Sequence, residues 1–155
     1  MAETLERIRA LLEAAGVGYD TVHHMPTRTS KESAQARGET LSVGGKALVL
    51  KVDDIFMLFV LSAEKRLDSV KIKRRFGAKR IRFATAPELF GLTGLVPGSV
   101  PPIGRPLYDI DLYVDRSIEQ NERIAFNAGS LTDSVIMSVS DYLEIARPVM
   151  FNFSK

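Results

Sequence analysis

Lys46 has the setting of a side chain that could fix a negatively charged group. It stands between a Gly-Gly pair and an apolar run, in the stretch VGGKA (43–47). A phosphate-binding loop would need a glycine where Thr40 stands and a serine or threonine where Ala47 stands, so the stretch is not a P-loop. A lysine at the mouth of a buried strand can extend over apolar neighbours into water, or it can direct its ammonium group into a cleft. The residues alone leave both interpretations open.

The stretch GLTGLVPGSVPPIG (91–104) could form an anion-binding loop of backbone amides. Seven of its fourteen residues are glycine or proline, and none is charged. Gly98 lets the backbone approach a ligand closely because it has no Cβ atom, and Pro101 and Pro102 restrict the backbone beside it. Such loops present N–H groups to an anion or to the oxyanion of a reaction intermediate. The alternative is a stiff turn with a structural role.

Other side chains argue against several kinds of catalysis. His23 and His24 are adjacent, and on a strand they point to opposite faces, so they do not easily share a metal ion. Ser99 has no evident histidine partner and the chain has no cysteine, which disfavours a Ser-His-acid or a thiol hydrolase. Asn127, in FNAGS (126–130), offers an amide side chain beside a glycine. We therefore expect no metal and no cofactor.

The basic residues of the chain are concentrated in one stretch. KIKRRFGAKRIR (71–82) holds seven basic residues and no acidic one, although the formal net charge of the whole chain is only +2. A concentrated basic patch can attract a polyanion such as RNA, and the alternative is a solvated helix face followed by a strand. The residues that we assign to RNA binding are Lys71, Lys73, Arg74, Arg75, Lys79 and Arg80.

Membranes and an oxidising compartment are not indicated by the composition. No apolar run reaches the roughly 20 residues of a membrane span. A chain without cysteine is compatible with a reducing compartment. We expect a cytoplasmic protein that does not interact with a membrane.

The elements that must position these residues include both helices and strands. A capping-box pattern, Thr29 followed by Glu32, predicts a helix that ends at Gly38. KALVLKV and IFMLFVLS, separated by two aspartates, predict a buried hairpin. SDYLEIA predicts a short helix capped by Ser140. Several strands follow one another directly, so we expect an α+β fold with a mixed or largely antiparallel sheet, in a single domain over residues 1–155.

Four segments of the chain together resemble a known family. The order and spacing of the YbaK/ProX family of aminoacyl-tRNA editing proteins match those of HHMPTRTSKESAQARG, GGKALVLKV, LTGLVPGSVPPIG and IAFNAGSLTDSVIMSVSDYL. The resemblance extends from about Thr4 to Phe153, and its closing part is most similar to the YeaK-type branch. It implies a single α+β domain with a mixed, partly barrel-like β-sheet flanked by helices. It also implies hydrolysis of the ester that joins a wrong amino acid to the 3′ adenosine of a tRNA.

The resemblance also implies roles for individual residues. The family's strand lysine matches Lys46, its Gly-x-x-x-Pro loop matches Gly98 to Pro102, and the polar position of its x-A-G turn matches Asn127. We expect Lys46, Gly98 and Asn127 to be catalytic. The residues expected to contact the substrate are His24, Thr27, Thr29, Ser30, Ser99, Val100, Pro101, Pro102 and Gly129. For the threonines and Ser30, a role as the cap of the following helix explains the residues equally well.

Three functions stay open at this point. The first is a deacylase acting in trans, since 155 residues leave no room for a synthetase. In it, loop amides would stabilise the tetrahedral oxyanion, Lys46 would hold the substrate by its carbonyl or a 3′-terminal phosphate, and Asn127 would orient the amino acid or the water. The second is a non-catalytic module that binds tRNA or a nucleotide. The third is a deacylase-like fold that acts on another small ester or amide.

The expected substrate and partners follow from the first of these functions. Similarity to the YeaK-type branch implies a small amino acid such as Ser, Thr or Ala. The expected partners are the aminoacylated 3′ end of tRNA, a transiently associated synthetase and a second copy of the chain. The apolar tail VMFNF (149–153) could complete the sheet or form the dimer contact.

Overall fold

Capping side chains mark the starts of most helices in the computed structural model, which describes residues 2–27 and 29–155. Thr29 and Thr85 each accept a hydrogen bond from the N–H of a glutamate that in turn bonds the threonine N–H. These bonds satisfy donors that a helix start leaves unpaired. The described helices are α1 (Ala2–Ala14), α2 (Ser30–Arg37), α3 (Ser69–Phe76), α4 (Ala86–Thr93) and α5 (Val139–Ala146), with 3₁₀ turns at Leu41–Val43 and Arg116–Gln120. Among these described helices, none has the length and apolar character needed to cross a bilayer.

The strands form two sheets that meet at one backbone bridge. The smaller, antiparallel sheet contains, in spatial order, β1 (Asp20–His23), β7 (Asp133–Ser138) and β6 (Arg123–Asn127). The larger sheet contains, in spatial order, β4 (Ile81–Phe83), β2 (Gly45–Val52), β3 (Ile55–Ser62), β5 (Asp111–Val114) and β8 (Val149–Met150). In the larger sheet β5 runs parallel to β3 and β8, and the other pairs are antiparallel. A bridge between Gly44 and Ala125 joins the two sheets. The predicted α+β fold with a mixed sheet is confirmed.

The β2–β3 hairpin separates two hydrophobic cores. Val49 and Val60 face the larger core, between the sheets and helices α1 and α5. Leu50 and Phe59 face the smaller core, which α3 covers. Burying an aliphatic or aromatic side chain of this size contributes about 1.5–3 kcal/mol. The hairpin is therefore a firm frame for Lys46, which lies at its open end.

The start of α5 differs from the prediction, and the tail takes one of its two expected places. The cap of α5 is Ser138, whose hydroxyl accepts a bond from the Asp141 N–H at 3.1 Å. Ser140, the predicted cap, lies inside the helix because β7 continues directly into it. The tail completes the larger sheet through β8, and Phe153 is fully buried in the smaller core.

Candidate active site

A small pocket beside the junction of β2 and β6 collects most of the residues predicted for the site. Its volume is about 140 Å³, below the about 300–1,000 Å³ of pockets that bind drug-sized ligands. It therefore has room for a small group. The predicted residues that line it are Thr27, Thr29, Ser30, Lys46, Gly98, Val100 and Asn127. The other lining residues are Ser33, Arg37, Gly44, Gly45, Ala47, Leu48 and Ala63.

Gly45 allows β2 to approach β6 closely. A Cβ atom added to Gly45 would lie 2.6 Å from Ile124 Cδ1, so a larger residue would force the Ile124 side chain to move. The Gly-Gly pair before Lys46 thus serves close packing between the two sheets. This packing brings the start of β2 and the end of β6 to the same pocket.

The ammonium group of Lys46 is anchored at the pocket by one hydrogen bond. Its Nζ donates to the carbonyl oxygen of Lys65 at 2.7 Å, which leaves two of the three N–H donors of an ammonium for a ligand. Partial burial lowers the pKa of Lys46, and the positive charge of Arg66 lowers it further. Lys46 therefore loses its charge at a lower pH than an exposed lysine. Lys46 lines the pocket, and its role as a cation for a ligand stays a prediction.

Three carbonyl groups of the 98–102 loop are held by donors from distant parts of the chain. The bonds are Asn127 Nδ2 to Gly98 O at 2.8 Å, Gly129 N to Ser99 O at 2.9 Å and Tyr142 Oη to Pro102 O at 2.5 Å. Because each of these three bonds uses a carbonyl oxygen, none of them occupies an N–H group of the loop.

Two N–H groups of this loop are without a hydrogen-bond partner among residues 2–27 and 29–155. They belong to Gly98 and Val100, which both line the pocket. The Ser99 N–H bonds to Val96 O at 3.1 Å, and prolines have no N–H. Gly98 has a φ of +87°, a conformation that glycine adopts readily and other residues rarely do. The loop thus offers two backbone donors in a fixed, glycine-dependent geometry.

Arg37 is a pocket residue that the sequence analysis missed. It donates from Nε to Ser134 Oγ at 2.9 Å, from Nη2 to Asn127 Oδ1 at 3.0 Å and from Nη1 to Ala125 O at 3.4 Å. Burial lowers the pKa of Arg37 to about 10, and Glu39 opposes this shift, so the guanidinium is charged at neutral pH. Its partners lie 88 to 97 positions away in the sequence. A basic residue in the last turn of a helix has a local explanation, so no sequence signal distinguished it.

The remaining residues predicted to contact the substrate lie outside the pocket lining. They are His24, Ser99, Pro101, Pro102 and Gly129. His24 Nε2 lies 2.8 Å from Ser134 Oγ, and Ser134 Oγ in turn donates to Asn127 Oδ1. Ser99 is 1% exposed, and its hydroxyl donates to Val96 O at 2.7 Å. Both prolines are buried. In this structure these residues support the pocket walls.

The basic stretch lies mostly at the other end of β2. Lys73, Lys79 and Arg80 line a depression of about 910 Å³ together with Lys51. Lys51 follows Lys46 by five residues, which is roughly 17 Å along a strand. These cations are thus too far away to touch a group in the pocket.

The other basic residues of the stretch have different surroundings. Lys71 donates to Ser154 O at 2.8 Å, and the Arg75 guanidinium lies 5.0 Å from the centre of the Phe151 ring. Arg74 is exposed. Helix α3 therefore uses part of its charge within the fold and presents the rest to solvent.

The charge of the pocket lining is positive. Lys46 and Arg37 are its cations, and the lining residues that the structure describes include no Asp or Glu. Across residues 2–27 and 29–155, no three His, Asp or Glu side chains come together as a metal site would need. The lining is suited to a carbonyl oxygen, an oxyanion or a phosphate.

Residues 24–145 match the family model of the aminoacyl-tRNA editing domain. The chain belongs to this family. The editing domain in this chain includes Lys46, Arg37, Asn127 and the whole 98–102 loop. The predicted resemblance to aminoacyl-tRNA editing proteins is confirmed.

Individual relatives cover the editing domain to different extents. The multifunctional Ser/Thr-tRNA deacylase ProXp-y of Escherichia coli (strain K12) is 35% identical over 158 aligned positions, covering 98% of this chain and 93% of the relative. A proline–tRNA ligase of Shouchella clausii (strain KSM-K16) is 39% identical over 101 positions, covering 65% of this chain and 18% of the ligase. A solved structure of a proposed trans-editing enzyme for prolyl-tRNA synthetase superposes with a TM-score of 0.85 at 27% identity, covering 98% of this chain and 97% of that one.

Proposed function

We propose that this protein hydrolyses the ester of mischarged aminoacyl-tRNA in trans and releases a small amino acid. The observation that carries the proposal is that two residues with free backbone N–H groups, Gly98 and Val100, line the same pocket of about 140 Å³ as Lys46. Membership of the editing domain family supports the reaction class. Similarity to a Ser/Thr-tRNA deacylase over nearly the whole chain supports action outside a synthetase.

The reaction needs no protein nucleophile, because an aminoacyl ester is already activated. Water adds to the ester carbonyl carbon and gives up a proton, and the carbonyl oxygen becomes the oxyanion of a tetrahedral intermediate. Gly98 and Val100 N–H donate to this oxyanion, and Lys46 holds the carbonyl or a 3′-terminal phosphate. Collapse of the intermediate breaks the bond to the ribose oxygen, which takes up a proton, and frees the amino acid. Donors fixed in advance stabilise such an oxyanion without a reorganisation cost.

We propose serine, threonine or alanine as the released amino acid, because all three are small enough for a pocket of about 140 Å³. Four residues that carry hydroxyl groups, Thr27, Thr29, Ser30 and Ser33, form one wall of the pocket lining, and Thr27 Oγ1 is 2.7 Å from Ser33 Oγ. Hydroxyl groups can both donate and accept hydrogen bonds, so this wall suits a side chain with its own hydroxyl. The named activity of the Escherichia coli relative agrees with this choice.

Thr29→Ala tests whether this wall depends on the helix cap. The substitution removes the cap of α2 and is expected to lower the free energy of unfolding by about 1 kcal/mol. Thr85→Ala removes the same kind of cap from α4, outside the pocket, with a similar expected loss. Because α2 carries Ser33 and Arg37, we expect Thr29→Ala to slow deacylation more than Thr85→Ala does. Urea denaturation and single-turnover rates measure the two effects, and equal slowing would limit Thr29 to its cap role.

We place the body of the tRNA on the basic stretch, with Lys71, Lys73, Arg74, Arg75, Lys79 and Arg80 as candidate contacts. The separation of roughly 17 Å between Lys46 and Lys51 suits a ligand much larger than an amino acid. Each phosphate contact with RNA contributes about 0.7–0.9 to the slope of log affinity against log salt. The salt dependence of tRNA binding therefore counts the contacts made.

The triple variant Lys73→Ala, Lys79→Ala, Arg80→Ala is expected to bind tRNA more weakly and with a shallower salt dependence. The slope should fall by about 2 to 3, because up to three phosphate contacts are lost. Arg116→Ala is the control, since Arg116 is exposed and pairs with Glu119 outside this stretch. Dissociation constants between 50 and 200 mM salt give the slopes. An unchanged slope would remove the RNA role of these three residues.

The alternative function is a non-catalytic module that binds tRNA or a nucleotide. Both functions would give salt-dependent binding of tRNA, but only the proposed one consumes the ester. The decisive test is the release of free serine from seryl-tRNA by the purified protein at a rate above spontaneous hydrolysis. Tight binding of seryl-tRNA without release would favour the binding module.

The place and partners of the reaction follow from its substrate. We propose that the protein acts in the cytoplasm, where tRNA is charged. The segment shared with proline–tRNA ligases supports transient association with a synthetase. For a homodimer, the tail 149–153 is already used within the fold, so a dimer would need another surface.

A further inference from the structure

Arg37 is a cation held by neutral groups. Its three acceptors are a hydroxyl, a side-chain amide oxygen and a backbone carbonyl. Among residues 2–27 and 29–155 no carboxylate forms a salt bridge with it, and the nearby Glu39 pairs with Arg123 at 2.9 Å. Removing a charge from water without a counter-charge is unfavourable. A residue kept in this setting therefore has a use beyond packing.

Arg37 determines which way the Asn127 amide faces. A guanidinium has donors and no acceptor, so the amide must turn its oxygen to Arg37. Ser134 Oγ donates to the same oxygen at 3.1 Å. The Asn127 NH₂ group is then directed away, and it donates to Gly98 O at 2.8 Å. A flipped amide would place oxygen against oxygen at Gly98.

The Gly98 carbonyl is the point where this chain of bonds meets the loop. It belongs to the Gly98–Ser99 peptide unit, which lies between the two peptide units that carry the free N–H groups of Gly98 and Val100. Peptide units are planar and rotate only about φ and ψ. Fixing the central unit therefore limits the directions of both flanking donors.

We propose that Arg37 is a positioning residue that fixes the 98–102 loop through Asn127, so that the Gly98 and Val100 N–H groups point at the oxyanion. The inference rests on the proposed deacylase function. Arg37 itself need not touch the substrate. Its contribution is made in the transition state, where the loop donors act, and therefore affects kcat more than KM.

Arg37→Lys and Asn127→Asp separate positioning from charge. Lysine keeps a positive charge but cannot form the fixed fork that bonds Ser134 and Asn127 together. Aspartate keeps the acceptor for Arg37 but cannot donate to Gly98 O. We expect each variant to lower kcat about 100-fold, the effect of a misplacement near 1 Å, with KM close to wild type. Because both changes break the same chain of bonds, the double variant should be little slower than either single one.

Single-turnover and steady-state deacylation of seryl-tRNA, with melting temperatures as a check on folding, provide the test. Arg123→Lys is the control, because Arg123 is exposed and bonds Glu39 outside the pocket. Near wild-type kcat in Arg37→Lys, a rise in KM alone, or fully additive losses in the double variant would overturn the positioning role. A wild-type protein that is inactive on seryl-, threonyl- and alanyl-tRNA would instead overturn the proposed function, so the two failures are distinguishable.

Discussion

Deacylation by Lys46→Ala is expected to be about 100- to 1,000-fold slower than by the wild type. The estimate is the usual effect of removing one preorganised group that stabilises an oxyanion. Lys46 is the pocket cation with spare donors, since one of its N–H groups bonds Lys65 O and two are left for a ligand. Single-turnover loss of labelled serine from seryl-tRNA measures the rate.

One control variant and the pH dependence of the rate make the Lys46 result specific. Lys31→Ala removes an exposed lysine of α2 and should leave the rate unchanged. Burial lowers the pKa of Lys46. As the pH rises, the enzymatic rate should therefore begin to fall at a lower pH than it would if it depended on an exposed lysine. Full activity in a folded Lys46→Ala variant would contradict the proposed mechanism.

Gly98→Ala is expected to slow deacylation about 100-fold or more while lowering stability only moderately. The φ of +87° at Gly98 is unfavourable for alanine, at a cost of about 1–2 kcal/mol. The added Cβ atom would lie 3.4 Å from Leu131 Cδ2, which leaves room in the fold. The chain can relieve the strain by rotating the peptide units beside Gly98, and this turns the free donors away from the oxyanion.

Gly94→Ala is the matched control for this prediction. Gly94 also has a positive φ, +72°, and no atom would lie within 4 Å of its added Cβ. It ends α4 and does not line the pocket. Both variants should therefore lose similar stability in urea denaturation, and only Gly98→Ala should lose most of its single-turnover rate. Equal rates in the two variants would remove the loop amides from the mechanism.

Local features of the fold could be predicted because their signals lie within a few residues. Thr29 and Glu32 stand three positions apart, and the capping box that they predict is present. The hairpin follows from two apolar runs around a short polar turn. The predicted position of the α5 cap was wrong by two residues, because Ser138 and Ser140 are both serines that could cap a helix starting here. The choice between them is made by β7, which pairs up to Ser138 with Arg123 of β6.

The interior of the site depends on contacts between distant segments, which a single sequence does not reveal. The glycines and prolines of residues 91–104 predict a stiff loop, but residues 91–93 form the end of α4. The carbonyls of the 98–102 loop are held by Asn127, Gly129 and Tyr142. Those bonds hold the loop in place, while the Gly98 and Val100 N–H groups stay free. Arg37 joins the pocket through partners 88 to 97 positions away. The residue types thus indicated a site for a negatively charged group, and contacts between distant segments determine how the loop N–H groups are held.

A deacylation panel tests the central claim most directly. The purified protein and Lys46→Ala are each incubated with tRNAs charged with serine, threonine, alanine, cysteine or proline, and the remaining ester is followed over time. We predict that the wild type removes one or more of the small amino acids serine, threonine and alanine, and that the substitution slows this removal by about 100- to 1,000-fold. No loss of ester from any of the five tRNAs, together with tight and salt-sensitive tRNA binding, would contradict the account and leave the 98–102 loop as an anion clamp without chemistry.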